Sequence, residues 1–110
     1  MLFMYTIQWL RYYFGSTGKA YRKSYGKTIN GKKYGFDDDG KMLFGYVEDN
    51  SYNIINDDED PILTADYYFG TNEDGARHSG WLQYTDALSD DDYTEDYYWF
   101  YFNTSNGKKV

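Results

Sequence analysis

The stretch Asn30 to Val47, "NGKKYGFDDDGKMLFGYV", decides the fold. Tyr34 and Phe36 stand at alternate positions and run into an aspartate turn closed by Gly40. An apolar segment follows, then Gly45 and Tyr46. In a strand, alternate side chains share one face. Asn-Gly at Asn30–Gly31 and Asp-Gly at Asp39–Gly40 are strong hairpin signals, because tight hairpin turns need φ > 0 and glycine adopts it without steric cost. The stretch reads as aromatic strand, turn and second strand.

The pattern recurs along the chain. Aligned on the phenylalanine that ends each aromatic run, the copies are "RYYFGSTGKA" (Arg11 to Ala20), "KYGFDDDGKM" (Lys33 to Met42), "DYYFGTNEDGAR" (Asp66 to Arg77) and "WFYFNTSNGKK" (Trp99 to Lys109). The anchors Phe14, Phe36, Phe69 and Phe102 are 22, 33 and 33 residues apart. Asp74–Gly75 and Asn106–Gly107 repeat the turn chemistry. A period of 33 also belongs to ankyrin repeats, but those need two helices per unit, and no sustained 3.6-residue period is present. Second strands are expected to end at Gly45–Tyr46 and Gly80–Trp81.

Composition agrees with an all-β, solenoid-like stack of hairpins. Aromatics make up 23% of the 110 residues, fifteen of them tyrosine, while aliphatic side chains are scarce. Large rings can fill the space between stacked hairpins, each burying much area. A lone hairpin is marginal in water, so the units must stack. The expected organisation is one repeat domain over 1–110, with units 11–29, 30–47, 65–84 and 97–110 and acidic inserts at 48–64 and 85–96. The inserts should lengthen hairpin connections rather than add a domain. Ile54, Ile55, Ile62 and Leu63 argue that the first folds back or extends a strand.

Charge excludes some functions. Eight of the eleven Lys and Arg residues lie at or before Lys41, whereas fifteen of the eighteen acids come after it. A net charge of −7 makes nucleic acid a poor partner, since phosphate contacts need cations, and gives no attraction to an anionic membrane. No run reaches about 18 consecutive apolar residues. "MLFMYTIQWLRYYF" lacks a basic start and a small-residue cleavage site, so Met1 to Leu10 reads as a capping strand rather than a signal peptide. There is no cysteine. Asp37 and Asp39 begin a calcium-loop spacing that Lys41 spoils, and Asp57, Asp58, Glu59 and Asp60 lack the glycine, so no metal or other cofactor is assigned. An enzyme is not expected. His78, the only histidine, sits beside Ser79 on what would be the opposite face of a strand, and it reads as an exposed turn-flanking residue.

The unit "INGKKYGFDDDGKMLFGYV", with "GARHSGWLQY" and "DYYWFYFNTSNGKKV", resembles a cell-wall-binding repeat of the choline-binding and glucan-binding type found in Gram-positive surface proteins, lytic enzymes and clostridial toxins. The resemblance covers most of Arg11 to Val110 outside the two acidic segments. It implies a hairpin solenoid, a non-catalytic attachment role and an extracellular, surface-associated location. It also implies a wall polymer as partner: a glycan, or a teichoic acid bearing choline. The ligand face would carry Trp99 and the Gly-Trp tryptophan, Trp81.

Alternation places Trp99 and Tyr101 on one face of the last unit, and Phe100 and Phe102 on the other, core-facing side. The expected ligand-binding residues are therefore Trp81, Trp99 and Tyr101. Ring faces suit quaternary ammonium groups, and they suit the apolar C–H faces of sugars. The alternative for the tryptophans is that they only pack hairpins together. Where the family often has methionine two residues after the turn glycine, Met42 fits but Arg77 does not; a cation beside the cage would repel choline unless an acid such as Asp66 neutralised it. The competing function is an acidic protein-interaction module engaging a basic partner, possibly as a nucleic-acid mimic, with the inserts as its active part.

Overall fold

A computed structural model describes residues 3–7, 10–14, 21–56, 59–71, 74–89 and 92–110. The turn of the first unit, parts of the proposed capping strand, and Asp57 and Asp58 lie outside the described residues. Among the described residues the chain is all-β, with one helical turn. Its strands are β1 (Phe3–Ile7), β2 (Leu10–Phe14), β3 (Ser24–Ile29), β4 (Lys32–Phe36), β5 (Tyr46–Val47), β6 (Tyr67–Tyr68), β7 (Gly80–Tyr84) and β8 (Tyr98–Phe102), and the turn of helix is α1 (Pro61–Thr64). They form four antiparallel two-stranded ladders, β1–β2, β3–β4, β5–β6 and β7–β8.

Each aromatic strand makes its ladder with the strand before it, not with the segment after its turn. The β3–β4 hairpin closes on Asn30 (φ 52°) and Gly31 (φ 85°), where two of the expected units meet. Two successive residues at positive φ make the primed turn whose twist matches the flanking strands. The segments after Asp39–Gly40, Asp74–Gly75 and Asn106–Gly107 add only single bridges, Met42 with Phe36, Ala76 with Tyr34 of the preceding unit, and Lys109 with Phe102. The reason is that their N–H groups are shared between two units.

That sharing follows one rule. The N–H three positions after the turn glycine donates to the carbonyl one position before the anchor phenylalanine. The instances are Tyr21 to Tyr13 (2.9 Å), Leu43 to Gly35 (2.8 Å), His78 to Tyr68 (2.7 Å) and Val110 to Tyr101 (2.9 Å). The N–H one position earlier crosses to the preceding unit: Arg77 donates to Lys33 and Lys109 to Asp66, both at 2.7 Å. The aligned phenylalanines are thus equivalent in backbone bonding as well as in sequence.

Side chains reinforce the joints. Tyr21 meets the ring of Phe36 edge-on at 5.8 Å, Leu43 packs in one cluster with Phe69, and His78 meets Phe102 edge-on at 5.6 Å. Each comes from the unit before the ring it covers. Met42 lies on Gly75, and Arg77 on Gly107, so tightly that a Cβ at either glycine would overlap it. Phe36, Phe69 and Phe102 are completely buried. The few aliphatics are spent here too: Ile29 with Phe36 and Met42; Leu43 and Val47 with Tyr67 and Phe69. Burying such side chains contributes about 1.5–3 kcal/mol each.

The turns are held by the residue after the anchor. Asp37 Oδ1 accepts from the N–H groups of Asp39 and Lys41, both at 2.9 Å, and Asn103 Oδ1 from Ser105 at 2.8 Å. Such Asx turns let a short polar side chain replace a backbone acceptor. Gly70 has no side chain to do so, and there Thr71 O accepts from Asp74 and Gly75 instead.

The 48–66 segment connects β5 to β6, and 85–97 connects β7 to β8. The first folds back on the ladder: Ile54 bridges Val47 and Ile55 N–H donates to Tyr46 O at 2.8 Å. Tyr52, at φ 52°, stacks on Tyr25 at 4.5 Å, and the other face of Tyr25 carries Tyr67 at 4.4 Å. Ile62 in α1 is completely buried. The Asp60 carboxylate, 8% exposed, accepts from Ser89 N at 2.9 Å and Ser89 Oγ at 2.8 Å, tying the two connections together.

Candidate functional site

The β7–β8 register sets Trp81 opposite Tyr101 and Gln83 opposite Trp99. Opposed residues point to the same side of a sheet, so these four form one face. Trp81 and Tyr101 touch at 5.0 Å with an interplanar angle of 62°, and Trp81 and Trp99 meet edge-to-face at 6.5 Å. Trp81 is 63% and Trp99 55% exposed. An open cleft of about 510 Å³ is lined by these two indoles among the described residues. The other side of the hairpin is inward: Phe102 is completely buried, and Phe100 is half-buried against Tyr84. Lys109 closes this side. Its ammonium lies 5.8 Å from the Phe100 ring and donates to the carbonyls of Ile62 (2.6 Å) and Leu63 (3.0 Å). Burial there lowers its pKa.

The three residues expected from sequence are therefore neighbours on one exposed face, and packing between hairpins does not account for the two tryptophans. Sequence reading passed over Gln83, although it stands two positions from Trp81 and alternation puts it on the same side. Its amide has no hydrogen-bond partner among the described residues.

The β3–β4 and β5–β6 hairpins cannot repeat this array. In β3–β4 the position matching Tyr101 is Gly35, and the Phe69 ring and Leu43 sit where a Cβ would project. In β5–β6 the matching pair, Tyr46 and Tyr68, stacks at 4.4 Å, but Asp66 replaces Trp99, and its carboxylate accepts from Asp49 N at 2.7 Å. Burial first, then the neighbouring Tyr68, holds the Tyr46 phenol well above its ordinary pKa.

Arg77 does not lie in a ligand cage. Its Nη1 donates to Tyr25 O at 2.9 Å, and its chain fills the gap between Gly26 and Gly107. It makes no ion pair with Asp66. Burial lowers its pKa, and its Nε is buried with no hydrogen-bond partner among the described residues. His78 also departs from expectation. It is half-buried, because its position is the one that covers the next anchor ring, and Nε2 lies 3.1 Å from Trp81 O.

A larger cavity, about 720 Å³, lies under the first connection, with Glu48, Asn53, Glu59, Asp60 and Ser89 in its lining. Its buried carboxylate, Asp60, is already bonded to Ser89. Among the described residues, no three His, Asp or Glu side chains come together as a metal site, and no helix is long and apolar enough to cross a membrane. No protein-family model matches this sequence, and no curated protein matches it significantly.

Proposed function

We propose that the chain is a non-catalytic, extracellular cell-wall or polysaccharide binding module. Its four units form a solenoid-like stack, and the β7–β8 face attaches it to a bacterial surface polymer. The observation that carries this reading is the exposure of Trp81 and Trp99 together, with Tyr101, beside an open apolar cleft. An exposed aromatic array is costly to leave in water and marks an interaction surface. The repeated joints support the stack, because each unit supplies the side chain that covers the next anchor ring. The acidic-module alternative is less supported: Asp49 pairs with Lys108 at 2.5 Å, and Asp49, Asp60 and Asp66 are engaged in holding the connections.

The test is sedimentation with isolated Gram-positive cell walls. Trp99→Ala should weaken attachment at least about tenfold while the chain stays folded, since truncating a central aromatic anchor commonly costs about 2 kcal/mol or more. Phe100→Ala, on the inward side, should instead lower the melting temperature. Unchanged attachment by Trp99→Ala, or unfolding as severe as that of Phe100→Ala, would refute the assignment.

A further inference from the structure

The geometry points to a neutral saccharide as the ligand of the β7–β8 face, with Gln83 as the residue that selects it and with quaternary ammonium excluded. This rests on the binding role proposed above and goes further by naming the ligand chemistry. A quaternary ammonium is held best when ring faces converge around it and remove it from water. Here Trp81 and Tyr101 are in direct contact, which leaves no slot between them. Trp81 and Trp99 meet edge-to-face and stay more than half exposed, so the surface is an open platform rather than an enclosing cage.

The second argument is the amide. Gln83 stands opposite Trp99, is exposed, and has no hydrogen-bond partner among the described residues. It offers two donors and one acceptor to whatever lies on the adjoining indole. A trimethylammonium group has no hydrogen-bonding hydrogen or lone pair, so it could use neither. A sugar ring has both an apolar C–H face for the indole and hydroxyls at its edge for the amide. Ligand sites commonly pair apolar area with a few placed polar groups in this way.

Charge removes the third class. None of the four side chains on this face is cationic, and the nearest cations in sequence are engaged elsewhere, Arg77 on Tyr25 O, Lys108 on the Asp49 carboxylate, and Lys109 on Ile62 and Leu63 O. With fifteen acids after Lys41, the surroundings disfavour an anionic polymer.

The experiment binds the full chain to isolated Gram-positive walls. Bound protein is then eluted with choline chloride, or with the phosphate-free and phosphate-bearing oligosaccharide fractions released enzymatically from the same walls. The phosphate-free fraction should elute it, and choline should not at equal concentration. Gln83→Ala should lose about five- to tenfold in affinity for that fraction, the loss of one useful hydrogen bond, with an unchanged melting temperature. Elution by choline or by the phosphate-bearing fraction alone overturns the inference, as does a Gln83→Ala protein that binds like the parent. If the parent does not bind walls at all, the attachment role itself falls, an outcome distinct from all of these.

Discussion

Replacing Gly75 with alanine tests the joint between successive units. Gly75 sits at φ 69°, and an added Cβ would overlap the end of the Met42 side chain. The backbone part of the cost is about 1–2 kcal/mol, the penalty of a Cβ in the left-handed region. Displacing Met42, which is 5% exposed in a filled cluster, adds about 1–3 kcal/mol of overpacking. Gly31→Ala isolates the first part, because Gly31 has φ 85° with nothing within 4 Å of the new Cβ. Met42→Ala alone should cost about 2–5 kcal/mol. In the double variant the space is already cleared, so the Gly75 cost should shrink to the backbone part. The two substitutions should couple by about 1 kcal/mol or more, less destabilising together than their sum. Urea unfolding followed by far-UV circular dichroism and tryptophan emission gives all four corners. If Gly75→Ala costs no more than Gly31→Ala, or the pair is additive within about 0.5 kcal/mol, the stacked joint is wrong.

Two further outcomes follow from the tyrosines and from Asp60. Burial is the first cause raising the Tyr25, Tyr46, Tyr67 and Tyr84 phenols above their ordinary value. In the unfolded chain they ionise near pH 10 while the folded protein still keeps its protons. The folded state then binds more protons, so the stability they contribute is intact below about pH 10 and is lost as pH rises toward the folded values. Alkaline titration should show phenolate absorbance rising together with loss of the β signal, and Tyr46→Phe should move that transition upward; phenols that titrate well before unfolding would contradict it. Asp60→Ala should free the 85–97 connection from the first one at about 1–3 kcal/mol, the range for a buried polar contact left unmade. Limited proteolysis should then cut between 85 and 97 much sooner than in the parent, and equal cutting rates would show that the Ser89 contacts do not hold it.

Much was determined by the sequence alone, wherever the governing interaction is local. Positive φ at Asn30–Gly31 and at the turn glycines follows from residue type. So does the carboxylate or amide of Asp37 and Asn103 closing its own turn. Alternation within five residues separated Trp99 and Tyr101 from the buried Phe102, and the anchor spacing found the equivalent backbone positions. Which strand pairs with which was decided only in three dimensions. β5 and β6 are joined by a connection of nineteen residues, and the burial of Val47, Tyr67 and Phe69 fixes their two-residue ladder. The side chains two and three positions after each turn glycine were equally illegible. Arg77 looked like a cation at a ligand, and His78 like a solvated turn residue. Arg77 instead fills the gap between Gly26 and Gly107 and donates to Tyr25 O, and His78 covers Phe102, because their partners are residues distant in sequence. Gln83 gained its meaning the same way: alternation named its face, but only the cross-strand register set it opposite Trp99.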